Sequence, residues 1–378
     1  MLSDIAQALK DQEYEKAAQL LQNLPPEKLN NPWAEFYQAQ LLEGLGDPET
    51  AEALYRQQLT RAGNPKLVAQ IRQALERRQG ERQRREQAAA AQKAEAEQRQ
   101  AQERQTALAE AKQQPGGDGL GLFVLDRVAP EEKQATALKL APIFNLDPYS
   151  ARLRLPSRSW RLYRAGPIGE LNHYQSQCQD QGVPSFCVSL EQIQALAVIP
   201  VLHLETLTPL GQVSYRLNAQ ERDTLSFDWS EVSQRVEGLL PIFEECVHLD
   251  RKGKIERKTQ ILDYAKVCDL HLKKRRQILR FCDQTYEYDW GVSLLAAERR
   301  REQEGTSYEQ WGRLLQIFRD HCLDTPLWSE FQPFAETALD FPELLKLIDP
   351  CLHFLRREET EWDQAFHLYS SLAFWRDR

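Results

Sequence analysis

Apolar residues change their spacing several times along this chain, and each change predicts a different kind of element. Up to Leu75 they recur every three or four residues in short blocks, the period of helices that bury one face. The first blocks predict helices over 2–10 and 14–24, stopped by Pro25-Pro26 because proline cannot continue a helix. Asn31-Pro32 opens the next helix, with asparagine able to cap and proline suited to the first helical position. Its inward face carries Phe36, Ala39, Leu42 and Leu45. Gly46-Asp47-Pro48 then makes a turn into a helix over 50–60, and Leu67, Val68, Ile71 and Leu75 form a closing element.

Beyond Glu76 the apolar pattern vanishes. Residues 76–114 are nearly all Arg, Gln, Glu, Ala and Lys, with Leu108 the one large apolar side chain. These are strong helix formers, with opposite charges three or four apart at Glu81/Arg84 and Glu95/Arg99. No sustained apolar seam supports a tight coiled coil. The stretch reads either as one solvated helix, interrupted at Gly80, or as a charged linker, and it ends at Pro115-Gly116-Gly117-Asp118-Gly119. That glycine cluster precedes a strand instead of following one, the reverse of a dinucleotide loop.

From residue 120 the pattern mixes strands and helices. Leu122-Phe123-Val124-Leu125 predicts a strand, 131–144 and 147–153 helices, 160–163 a strand, 168–181 a helix and 184–189 a strand. That order suggests a compact α/β unit. From Val198 strands dominate, at 201–206, 213–217 and 225–229, with a helix at 230–245. Asp250-Arg251-Lys252-Gly253 reads as a turn between strands 246–249 and 255–261, and 266–272, 277–281 and 285–290 add more. Such a unit would be a small barrel or a curved sheet. In the last segment Tyr308, Trp311, Leu314, Leu315 and Phe318 keep helical spacing, and Trp362, Phe366, Tyr369, Phe374 and Trp375 crowd the end. These aromatics are expected to pack over the preceding sheet, with Trp375 the most exposed.

The expected fold is therefore α+β and multidomain: a helical repeat module (1–78), a charged helical spacer with a Gly-rich hinge (79–119), a small α/β unit (120–196), a β-rich unit (197–290) and a helical tail (291–378). Composition adds limits. Of 378 residues 42% are apolar, enough for a core, and the net charge of −8 argues against the whole chain binding nucleic acid. Seven scattered cysteines suit reduced thiols and a cytoplasmic setting. The first residues carry acidic groups and no apolar core, so no signal peptide is expected, and no apolar run approaches a membrane span.

Chemical motifs are sparse. Cys246-x-His248 and Cys268-x2-His271, with Cys282 near, could hold zinc, since thiolate and neutral imidazole are its ligands. His203-Leu204-Glu205 matches the first half of a deaminase pattern, but Pro350-Cys351 lacks the second cysteine. Nucleophile elbow, Walker A and His-Glu-x-x-His are all absent from the sequence. Two basic clusters stand out: Arg152, Arg154, Arg158, Arg161 and Arg164, and Lys273-Lys274-Arg275-Arg276. Each could meet an acidic partner or simply be solvated.

One periodicity remains. Ala17-x3-Leu21 recurs as Ala51-x3-Tyr55, both pairs 34 residues apart. A 34-residue beat, with the Gly-Asp turn and Ala39 at a small-residue position, resembles the tetratricopeptide (TPR) repeat. The family's Trp position falls on Glu35 and its Leu-Gly pair on Gln38-Ala39, so the match is partial. The runs SRSWRLYRAGPIGELNHY, FDWSEVSQRVEGLLPIFEE and ETEWDQAFHLYS are similar to uncharacterised TPR-containing proteins of cyanobacteria. The resemblance implies a non-enzymatic, protein-binding adaptor with no cofactor, its partner held at Phe36, Ala39, Leu42 and Tyr55. Two alternatives stay open: a zinc-stabilised module on Cys246, His248, Cys268 and His271, and an enzyme whose site in 120–378 carries no motif.

Overall fold

The computed structural model describes all residues except 26, 27, 29, 30, 62, 218–220, 250–254, 295–305, 355, 357–359, 377 and 378; at 246, 248, 249, 255, 256 and 258 it describes the backbone alone. The fold is mixed α and β, with two sheets. Two compact units divide the chain, Met1–Arg104 and Gln105–Arg378.

In the first unit α1 (Leu2–Lys10) and α2 (Tyr14–Gln22) form one hairpin, and α3 (Pro32–Gly44) and α4 (Pro48–Leu59) a second. The start of α5 (Pro65–Gln113) closes the stack with Leu67, Ile71 and Ala74. The expected Asn31 cap forms, and Asp47, expected only as part of a turn, caps the next helix two residues earlier than predicted. Asn31 accepts from the Trp33 amide at 2.9 Å and Asp47 from the Thr50 amide at 3.2 Å, each before a proline at the first helical position. α2 and α4 begin 34 residues apart, and Ala17 and Ala51, each on the fourth residue of its helix, are both buried. At the crossing of α2 with α3, Gly44 leaves room for the Tyr14 ring: a Cβ there would lie 2.1 Å from Tyr14 Cε1.

Gly80 does not interrupt α5, which is one helix of 49 residues with 82–103 exposed. Arg99 pairs with Glu95 as the spacing predicts, while Glu81 turns to Arg78 instead.

The second unit holds a three-stranded antiparallel sheet of β1 (Leu120–Leu125), β2 (Arg161–Pro167) and β3 (Ser185–Ser189), in the order β2-β1-β3. Strand β1 is apolar on both faces because both are covered. Phe123 and Leu125 pack with α6 (Lys133–Phe144), α7 (Pro148–Arg154) and α8 (Ile168–Asp180), while Leu122 and Val124 meet the C-terminal helices. The short α9 (Leu190–Gln194) leads into the larger sheet.

That sheet comprises β4 (Ala197–Thr206), β5 (Gly211–Arg216), β6 (Arg222–Phe227), β7 (Val232–Leu249), β8 (Ile255–Leu272), β9 (Gln277–Cys282) and β10 (Leu327–Trp328). Its order is β10-β7-β8-β9-β4-β5-β6, an open sheet with β10/β7 and β4/β9 parallel. One face is covered by α10 (Ser307–His321) through Trp311, Leu314 and Phe318. The other takes α11 (Phe331–Ala338), α12 (Pro342–Leu345) and α13 (Trp362–Trp375). Helix α13 is buried nearly all round, as a helix between layers must be. The segments that the sequence divides at 196/197 and 290/291 share this core. Leu122, Val188, Leu240, Val267, Phe334 and Phe366 all belong to it.

The helix expected over 230–245 is the strand β7. Its face toward α13 runs Gln234, Val236, Gly238 and Leu240, while a bulge puts Val232 on the α10 side; that break, the polar Gln234 and the small Gly238 disguise a period of two. The strand expected over 285–290 is a series of turns hydrogen-bonded to the edge of β4, with the Glu287 amide donating to the Leu202 carbonyl at 2.8 Å.

Candidate functional site

The residues that the TPR resemblance assigns to a partner lie inside the helical stack. Phe36 is 2% exposed, Ala39 and Tyr55 are 0%, and Leu42 is half-buried against them. Phe36 and Tyr55 rings lie 5.6 Å apart, and the Tyr55 hydroxyl donates to Glu43 at 3.2 Å. Phe36, Ala39 and Tyr55 are engaged by neighbouring helices and shape the stack.

The four zinc candidates do not converge. Cys268 and His271 are three apart on β8, so alternation sends them to opposite faces. Cys268 enters the core under α10, while His271 faces α13. On β7, Cys246 lies nine residues beyond Glu237, the partner of Cys268, which is about 30 Å of extended chain. The side chains of Cys246 and His248 are outside the described residues. Among the described residues no group of three or more His, Cys, Asp or Glu could hold a metal ion. Burial also pushes the Cys282 thiol up to about 12 and the Cys268 thiol well above its ordinary value, which keeps both protonated.

His271 belongs to a closed polar network. Arg280 on β9 donates to both carboxylate oxygens of Asp269 on β8, at 2.9 and 2.7 Å, and to the Pro350 carbonyl at 2.6 Å. Ser370 on α13 donates to Asp269 at 2.6 Å. With its proton spent there, Ser370 accepts from His271 Nε2 at 2.9 Å, so His271 Nδ1 is the acceptor facing the Gln234 amide at 2.9 Å. Gln234 in turn accepts from Trp328 Nε1 at 2.9 Å. Burial holds His271 down to about 4 and, with Arg280 adding to it, His367 down to about 3, so both imidazoles are neutral. A nucleophilic triad needs its carboxylate on the histidine; here it sits on the serine, neutralised by Arg280 and shut off from solvent. The network instead pins α13 across β7, β8 and β9.

His203 and Glu205 of the partial deaminase pattern do meet, with Nε2 2.8 Å from Glu205 Oε1. Glu287 lies 3.3 Å from Nδ1 and is itself held by two 2.7 Å bonds from Arg222. Pro350 lends its carbonyl to Arg280, as above, and plays no part at His203. The arginine cluster is split: Arg164 lies over the Phe144 and Tyr174 rings, and Arg152 and Arg154 point to solvent on α7. The run 273–276 is the turn between β8 and β9, with Arg275 tied to Glu231 at 2.7 Å.

One surface went unforeseen. Strand β10 pairs with β7 only at Arg235 and Val236, and β9 pairs with β8 only from Val267 onward. The outer parts of β7 and β8, 237–249 and 255–266, therefore form a two-stranded ribbon whose edges meet no third strand among the described residues. It exposes Val247 (63%), Leu262 (55%), Ile261 (44%) and Tyr264 (42%). A bulge at Ile242/Phe243 leaves Leu262 outside the ladder. The turn expected at Asp250–Gly253 lies outside the described residues. No protein-family model, curated protein or solved structure matches this chain.

Proposed function

We propose that this chain is a cytoplasmic, non-enzymatic protein-binding adaptor, with TPR-like hairpins recruiting one protein and the β7/β8 ribbon engaging another. The ribbon carries this reading. A two-stranded hairpin is marginally stable in water, and edges that no third strand covers, beside exposed apolar side chains, invite a further chain. Val247, Ile261, Leu262 and Tyr264 supply the apolar contacts, and backbone groups along the ribbon supply the hydrogen bonds of an added strand. The hairpin stack supports the other half through the matched burial of Ala17 and Ala51 in helices 34 residues apart.

Crosslinking of the intact chain in its native extract, followed by mass spectrometry, identifies the partners. Each is then purified and titrated against wild type and against Ile261→Asp/Leu262→Asp. An affinity loss of about tenfold or more with the fold intact supports the reading. Equal affinity for every partner overturns the ribbon's role.

A further inference from the structure

A cavity of about 660 Å³ opens in the second unit where the ends of β1, β10 and α13 meet the approach to β2. Two loops of the small sheet supply its cations: Arg127 follows β1 and Arg158 precedes β2. The Val128 amide donates to the Pro156 carbonyl at 2.9 Å, which ties the loops side by side. Both arginines are exposed, and among the described residues neither guanidinium has a hydrogen-bond, ion-pair or ring partner. Arg376 also lines the cavity, paired with Asp126 and lying over the Phe186 ring. Three guanidiniums against the carboxylates of Asp126 and Glu330 make the lining net positive, in a chain whose net charge is −8.

The walls are fixed before any ligand arrives. The Ser159 hydroxyl donates to the Glu330 carbonyl at 2.6 Å, joining the β2 approach to the start of α11. Trp160 is buried against Trp328, ring centroids 4.5 Å apart, and Trp328 is oriented by its bond to Gln234. Trp328 is only partly buried and so offers the cavity an aromatic surface.

The geometry points to this cavity as a binding site for a phosphate monoester carried on a planar ring, the chemistry of a mononucleotide. A phosphate monoester is close to a dianion at neutral pH, and two free guanidinium forks match its charge and its oxygens. Trp328 supplies a face or edge for the ring, and the volume is in the range of small-molecule sites.

Isothermal titration of the full chain with adenosine monophosphate and uridine monophosphate, alongside adenosine and inorganic phosphate, tests this assignment. At least one nucleotide is expected to bind more tightly than either fragment, and Arg127→Gln/Arg158→Gln to weaken it about tenfold or more. Both arginines are exposed, so the variant keeps its fold, which circular dichroism verifies. The assignment is overturned if neither nucleotide binds more tightly than both adenosine and inorganic phosphate, or if the variant binds as wild type does.

Discussion

Arg280 grips Asp269 through two hydrogen bonds, 2.9 and 2.7 Å long, at a point where neither side chain reaches solvent. Taking both charges out of water is costly, and the pair persists because each remaining polar atom finds a partner. Removing one member leaves the other charged and buried. Arg280→Met is therefore expected to cost about 3–5 kcal/mol, read as a lower urea midpoint. A loss below about 1 kcal/mol would mean that the site relaxes to admit water.

The same burial makes stability depend on pH. His271 and His367 hold no proton in the fold until about 4 and about 3, whereas in the unfolded chain each takes one up near the ordinary value of 6.5. Between those limits the unfolded state binds more protons, so stability falls as pH drops below about 6.5 and is level above it for these groups. Each imidazole contributes a slope of up to about 1.4 kcal/mol per pH unit. Urea midpoints at pH 7.5 and pH 5 measure this; equal midpoints would contradict the neutral assignment.

Gly238 faces two buried rings. A Cβ there would lie 2.5 Å from Phe366 Cε2 and 3.1 Å from Phe331 Cδ1. Gly238→Ala is expected to destabilise by about 1–3 kcal/mol as the rings are forced off their packing. A melting temperature at or above wild type would contradict this account of why a glycine interrupts the apolar face of β7.

Tyr55 distinguishes stack from surface. Tyr55→Ala is expected to cost the first unit about 3–5 kcal/mol, and Tyr55→Phe, which loses only the bond to Glu43, about 1 kcal/mol. Thermal unfolding followed by circular dichroism separates the two. A stable Tyr55→Ala that merely loses a partner would return Tyr55 to the binding surface.

These residues also show what sequence reveals and what it hides. Asn31-Pro32 acts within a single turn, so that helix start is legible, whereas Asp47-Pro48 reads as a turn and starts its helix at Pro48, two residues before the expected Thr50. Strand β1 was legible because both of its faces are apolar. Strand β7 was not, since Gln234 answers His271 on β8 and Gly238 answers Phe366 on α13, partners 37 and over 120 residues away. The Asp269–Arg280–Ser370 network spans three elements, and spacing alone does not tell which polar residue on an apolar strand will be matched. That no third strand among the described residues pairs beyond Arg235 and Val236 on one edge of β7 is a fact of topology, which spacing does not carry. At the cavity, Arg158 is one of five arginines in the sequence cluster, and Arg127 carries no sequence signal because the fold alone brings its loop beside that of Arg158.

The adaptor reading stands most directly on one comparison: the affinity of each crosslink-identified partner, purified, for the intact chain and for Ile261→Asp/Leu262→Asp. The account predicts that at least one partner loses about tenfold or more in affinity while the unfolding free energy from urea titration stays within about 0.5 kcal/mol of wild type. Unchanged affinity for every partner would contradict it.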